Sequence, residues 1–351
     1  MRRQRKNPAG QEILSAEYEE DRMEFTKMQG CGNDYVYVNE FREKVDPEKK
    51  PDLVRKMSDR HFGVGSDGVI FIRPTLKADC EMEMWNADGT RSEMCGNGIR
   101  CVARYAYDRG IVRAKEFSVE SFGKIKKMQI FEENGKVKGV RVNMGAPVLT
   151  PEQVPADPNM TGKAGQVSEY TFGEHTEKVL KEYPILCGGE EYTMTCVSMG
   201  NPHAVIFLEE EPGDGKGQKT ASEASSDISL LGKTAFLSRM TPALRKLDLE
   251  RTGPMFEHHA CFPARTNTEF VVVKDRTHAE MRVWERGAGE TFACGTGACA
   301  VAVACILNGK CEPKMEIKLL GGNLTVEWDQ KENLVYMTGP AEYVYEGTWE
   351  D

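Results

Sequence analysis

Two cysteines stand in matched surroundings. The first follows Trp85, a polar loop over 86–94, and opens Cys95-Gly96-Asn97-Gly98. The second follows Trp284, a loop over 285–293, and opens Cys294-Gly295-Thr296-Gly297. In both, tryptophan precedes cysteine by the same ten positions. A helical run follows each. Over 99–107 the apolar residues are Val102, Ala103, Tyr105 and Ala106, with Arg100 and Arg104 on one side; over 298–307 the run is apolar all round, the pattern of a helix the fold wraps completely. Gly110 and Gly309, equally spaced after their cysteines, are stop signals. Each thiol is therefore expected at the head of a buried helix. Such a head presents unpaired N–H groups and about half a positive charge. That favours thiolate, so a cysteine there can fall below the free value of about 8.5. The glycines let a ligand approach the backbone. Two heads facing each other can hold one carboxylate, with a thiol on either side of its α-carbon.

The elements that must position these thiols also come in two sets. Gly32-Asn33-Asp34 precedes a strand over 35–38, and Gly200-Asn201-Pro202-His203 precedes one over 204–207. Gly65-Ser66-Asp67-Gly68 leads into 69–72, as Arg265-Thr266-Asn267-Thr268-Glu269 leads into 270–273. Alternation over 80–85 marks a strand delivering the chain to the first loop. A helix is expected over 51–60, a meander of strands over 117–143 with a tight turn at Asn134-Gly135, and a hairpin about Gly321-Gly322. One or two short helices are expected over 230–249. The segment 209–227 is polar and low in complexity, which predicts a mobile surface insertion. His61 reads as structural.

The composition narrows the class. The chain has 351 residues, 40% hydrophobic and 29% charged, with net charge −9, which does not suggest nucleic-acid or membrane binding. The basic first residues lack the apolar run of a signal peptide, so 1–22 reads as a flexible leader. The 11 cysteines are odd in number and several lie in apolar runs, which fits a reducing cytoplasm better than a disulfide framework. There is no CxxC, and the spacing of Cys294, Cys299, Cys305 and Cys311 is not that of a zinc site; no metal is expected.

Five ordered blocks (32–35, 86–89, 95–101, 200–203 and 285–300) resemble the diaminopimelate epimerase family, and the likeness runs from Met23 to about Gly347. The resemblance implies an α/β fold of the α+β type: two pseudo-symmetric halves, each a mainly antiparallel sheet curled around a central helix, with the site in the cleft between them. The halves are expected over 23–145 and 146–336, with a C-terminal strand within 337–351 returning to the first. It implies an isomerase that turns LL-2,6-diaminopimelate into the meso form without cofactor or metal, serving lysine and peptidoglycan precursor synthesis, in a homodimer. Cys95 and Cys294 would be the acid–base pair, with His203 beside the first thiol and Glu285 near the second. Gly96, Asn97, Gly295 and Thr296 would bind the reacting carboxylate through backbone N–H groups. Asn33, Asn86, Asn201, Asn267 and Arg286 match substrate-binding positions, Arg286 suited to the distal carboxylate and Glu285 to the distal ammonium. Gly68 departs from members with Gln there. Two other readings compete: a proline-type racemase of the same fold, which would not need the polar set for a distal amino acid, and a thiol-redox protein, which would not need two carboxylate pockets.

Overall fold

A computed structural model describes residues 22–173, 175–209 and 234–350. The leader expected over 1–22 and the insertion expected over 209–227 lie outside these residues except at Arg22 and Glu209. The helices are α1 (Lys50–Ser58), α2 (Gly96–Asp108), α3 (Pro242–Lys246), α4 (Leu249–Glu257) and α5 (Gly295–Leu307). The short helices expected over 230–249 are present as a helical turn over 234–237 and as α3, and α4 continues to Glu257. Among the described residues no helix is long and apolar enough to cross a membrane.

Period-two burial builds the sheet. Asn33–Asn39 runs parallel to Gly68–Arg73, which is antiparallel to Cys80–Asn86, which is parallel to Glu116–Ser121. The second half repeats this order. Pro202–Phe207 runs parallel to Asn267–Val273, which is antiparallel to His278–Glu285, which is parallel to Lys314–Leu319. In both halves the central helix, α2 or α5, enters between the third and fourth of these strands. Asn134 and Gly135, both at positive φ, make the tight turn of the first half's hairpin. The halves join where Lys136–Gly145 pairs antiparallel with Leu334–Gly339, giving one continuous 18-stranded sheet. The C-terminal strand Glu342–Glu350 pairs with Arg22–Gly30. The chain thus pairs with the first half from Val335, along Lys136–Gly145, and again over Glu342–Glu350, along Arg22–Gly30. Val335 and Met337 alternate into the core as part of the second half's strand, and Pro340 follows its end.

Alternation also sorts the side chains into layers. Tyr35, Tyr37, Ile70 and Ile72 face α2, while Val36, Val38, Val69 and Phe71 face away, toward α1. In the second half Val205 and Val271 face α5, while Ala204, Ile206, Phe270 and Val272 face α3 and α4. One apolar core runs through α2, α5 and both inner sheet faces. The strands Ser168–Phe172 and His175–Val179, polar enough to escape sequence reading, form a separate hairpin. It is anchored by Tyr170 and Phe172 against the fully buried Trp328, with ring centroids 6.2 and 5.4 Å away. Trp328→Ala should therefore cost about 3–5 kcal/mol, read as a lower urea midpoint; a near-neutral effect would mean that this contact holds nothing in place.

Candidate active site

Cys95 and Cys294 occupy the same place in the two halves. Each is the N-cap of its central helix, with extended backbone, and each sulfur accepts from a helix N–H: Gly98 to Cys95 Sγ at 3.3 Å, Gly297 to Cys294 Sγ at 3.4 Å. Gly110 and Gly309, both at positive φ, close the far ends. The two heads meet glycine to glycine. A Cβ on Gly96 would lie 3.6 Å from Gly295 Cα and 3.0 Å from Met337 Cε, and one on Gly295 would lie 3.4 Å from Gly96 Cα and 3.2 Å from Met337 Sδ. A side chain on either glycine would press first on Met337 and would fill the space between the heads.

The thiols do not have the same neighbours. Cys95 donates to Asn33 Oδ1 at 3.0 Å. The Asn33 amide is held in that orientation because its Nδ2 donates to Asp67 Oδ2 at 2.7 Å. Tyr35 lies against both Asn33 and Cys95. Cys294 instead meets Thr296 Oγ1 at 3.4 Å, and the Glu285 carboxylate lies near enough to act on its charge. Glu285 also accepts from Thr291 Oγ1 at 2.5 Å.

A helix head can draw a thiol below its free value, yet both thiols here lie above it. Burial pushes Cys95 up, and the N–H groups of Gly98 and Asn97 pull back only part of the way. Cys294 stands well above the ordinary value, through burial first, then the Glu285 and Glu269 carboxylates, against the Thr296 hydroxyl and the Gly297 N–H. Loss of water outweighs half a helix charge. Burial likewise raises Glu285, opposed by its bonds to Thr291 and Cys294. A carboxyl raised toward neutrality beside a thiol is suited to exchange a proton with it.

The remaining expected residues divide into two sets. Asn201 lies beside the second thiol's cap, its Nδ2 donating to Thr296 Oγ1 at 3.3 Å and its Oδ1 bonded to His203 Nε2 at 3.0 Å. His203 was expected beside the first thiol. Its bonds are to Glu269 and Asn201 of the second half, because its strand lines α5. Asn97 is buried and bonds across the halves, its Nδ2 donating to Ala293 O at 3.0 Å. Asn267 is committed to main chain: Nδ2 donates to Pro202 O at 3.0 Å, and Oδ1 accepts from Arg286 N at 2.9 Å. It positions the turn after Glu285. The exposed Arg286 guanidinium donates to Ala264 O at 2.8 Å, and Asn86 Nδ2 to Thr90 Oγ1 at 3.1 Å.

Two buried charges escaped the sequence reading. Arg100, fully buried, donates to Asn97 Oδ1 at 2.8 Å, Gly96 O at 3.1 Å and Pro340 O at 3.1 Å, tying the first helix head to the chain after the joining strand. Glu269, also fully buried, bonds through Oε1 to His203 Nδ1 at 2.7 Å. The signal was present in both cases: a charged residue at an inward position of an apolar element.

The family model for diaminopimelate epimerase matches residues 25–150 and 240–344. The diaminopimelate epimerase of Acetivibrio thermocellus is 45% identical over 325 residues, covering 93% of this chain and 98% of that protein. That of Agathobacter rectalis is 47% identical, covering 93% and 98%. Among solved structures, a phenazine biosynthesis protein of the PhzF family from Bacillus anthracis superposes with a TM-score of 0.55 at 15% identity, over 93% of this chain and 99% of that one, a likeness of fold.

The geometry predicts the titration of the thiols. Modification by iodoacetamide, mapped by mass spectrometry over a pH series on ligand-free protein, should have midpoints above the free-thiol value of about 8.5 at both Cys95 and Cys294. The midpoint for Cys294 should be the higher of the two. A midpoint near neutrality at either residue would mean that the helix heads prevail over burial.

Proposed function

The chain belongs to the diaminopimelate epimerase family, and we propose on that basis that it inverts one α-carbon of LL-2,6-diaminopimelate to give the meso isomer. The observation that carries this reading is the meeting of two cysteine-capped helix heads, one from each half, at Gly96 and Gly295. Inversion needs a proton taken from one face of a carbon and another delivered to the opposite face. Two thiols on opposed heads supply both groups. The N–H groups of Gly96, Asn97, Gly295 and Thr296, in the unpaired first turns, would receive the substrate carboxylate. They would stabilise the enolate-like charge that grows as the α-proton leaves.

The neighbours of each thiol support a division of labour. Asn33 Oδ1 can only accept, so it holds Cys95 as S–H, ready to donate. Cys294 has a carboxylate to take its proton and a hydroxyl to stabilise the thiolate left behind. In this arrangement Cys294 acts as base and Cys95 as acid, and in the reverse direction the roles exchange. Glu285 belongs to the same proton inventory, as the group that exchanges with Cys294. Asn33 and Asn201 border the two caps, while Asn86, Asn267 and Arg286 shape the part that takes the distal amino acid, Arg286 by turning from Ala264 O to the distal carboxylate.

Two further properties belong to this proposal. The eleven cysteines are all free, which suits the cytoplasm. Among the described residues the strand Glu342–Glu350 is paired with Arg22–Gly30 along one edge, and it exposes Val344 and Tyr345, which suits it to join a second copy in a homodimer.

In deuterated water, label should enter diaminopimelate at its α-carbon, and lysine and proline should remain unlabelled. Cys95→Ala and Cys294→Ala should each reduce net inversion by at least about 100-fold; full turnover by either variant would rule out the two-thiol reaction. Val344→Lys should shift sedimentation toward the monomer, and an unchanged dimer would place the interface elsewhere.

A further inference from the structure

The pseudo-symmetry breaks at one pair of positions beneath the helix heads. By strand register, Tyr35 in the first half corresponds to His203 in the second, and Ile70 to Glu269. The packing agrees. A Cβ on Gly98 would meet Ile70 Cδ1 at 2.7 Å, and a Cβ on Gly297 would meet Glu269 Oε1 at 2.6 Å. Under the first thiol's helix lies an apolar side chain. Under the second lies a carboxylate bonded to an imidazole, both with no exposed side-chain surface.

The bonds from this pair run to the sulfur. Glu269 Oε1 bonds to His203 Nδ1 at 2.7 Å, His203 Nε2 to Asn201 Oδ1 at 3.0 Å, Asn201 Nδ2 to Thr296 Oγ1 at 3.3 Å, and Thr296 Oγ1 to Cys294 Sγ at 3.4 Å. Each link constrains the next. A carbonyl oxygen only accepts, so His203 Nε2 carries the hydrogen in its bond to Asn201. The Asn201 amide then presents its N–H to Thr296. The Thr296 hydroxyl keeps its hydrogen, and toward a Cys294 thiolate, which can only accept, that hydrogen is the one able to bond. At the other end, Glu269 Oε1 and His203 Nδ1 share one hydrogen. Glu269 Oε2 is buried without a partner, so removing that hydrogen would leave a net charge in a dry site. The pair therefore favours the arrangement in which His203 Nε2 remains a donor.

We propose that Glu269 is a positioning residue which, through His203 and Asn201, fixes the Thr296 hydroxyl as a donor to Cys294. The first half lacks the device: Ile70 stands in place of Glu269, and Asn33 turns its oxygen toward Cys95. Two copies of one fold are thereby made unequal: Cys95 faces an oxygen that only accepts, and Cys294 faces a hydroxyl able to donate. This deepens the two-thiol reading and rests on it. The groups facing Cys294 are Glu285 from the strand His278–Glu285, Glu269 from Asn267–Val273, with His203 behind it from Pro202–Phe207; Arg100 acts on Cys95 from α2.

The test reads each cysteine separately and needs no turnover, so it can fail while the epimerase reading stands. The alkylation midpoint of Cys294 should rise by about one pH unit in Thr296→Val, the loss of one hydrogen bond to a charged sulfur. The midpoint of Cys95 should stay in place, and Thr296→Ser, which keeps the hydroxyl, should restore that of Cys294. In a Glu269→Ile background, which installs the first half's residue type, Thr296→Val should shift Cys294 by less than half as much. A Cys294 midpoint unmoved by Thr296→Val, or a full shift persisting without Glu269, would overturn the proposal. Should Glu269→Ile not fold, nitrogen-15 spectra of the native protein decide. His203 Nε2 should carry the hydrogen of its bond to Asn201, and a bare Nε2 would overturn the proposal.

Discussion

Gly96 and Gly295 touch across the interface between the halves, with the Met337 side chain against both. Everything around the site follows from that contact. Two helices can be brought head to head only where neither has a side chain to intervene, and the partial positive charges of their first turns must then be tolerated at short range. The sheet supplies the force. Lys136–Gly145 and Leu334–Gly339 pair as neighbours, and α2 and α5 share one apolar core. Arg100 adds a tie, since it holds the carbonyl of Gly96, the side chain of Asn97 and the carbonyl of Pro340 at once. An anion placed between the heads would relieve their mutual repulsion, which is the physical reason such a site takes a carboxylate.

Burial and helix charge compete at the same sulfurs, and burial prevails. A thiolate at a solvent-exposed helix end is stabilised by the unpaired N–H groups. Here the same groups act on a sulfur that has lost its water, and the neutral thiol is the favoured form. That suits a reaction in which a thiol must give up its proton only when a substrate is in place. A thiolate exposed at rest would be open to oxidation.

Duplication provides two equivalent scaffolds, and the chemistry needs them to differ. The difference lies in the layer beneath the caps. Asn33 and Asn201 are counterparts, yet their amides point opposite ways, one tied to Asp67 and the other to His203. Glu269 and Ile70 occupy equivalent inward positions, one charged and one apolar. A few side chains thus give the two thiols different partners while the backbone remains nearly twofold.

Much of this was legible in the order of residues. The matched Trp–loop–Cys-Gly-x-Gly segments place both cysteines at helix heads, because glycine spacing, apolar period and stop signals are local properties of the chain. The two echoing sets of strands imply duplicated halves for the same reason. Other features depend on which atoms are brought together. The hairpin from Ser168 to Val179 carries too little apolar pattern to be seen, since its stability comes from Trp328, far along the chain. The thiol acidities depend on solvent exclusion, which no local pattern records. Arg100 and Glu269 read as ordinary charges until the inward faces of their elements are closed over by the core. The partners of His203 were decided by the parallel pairing of Pro202–Phe207 with Asn267–Val273, a register between segments more than fifty residues apart. Local sequence can specify a helix cap, but only the packed structure determines what the cap faces and how much water remains there.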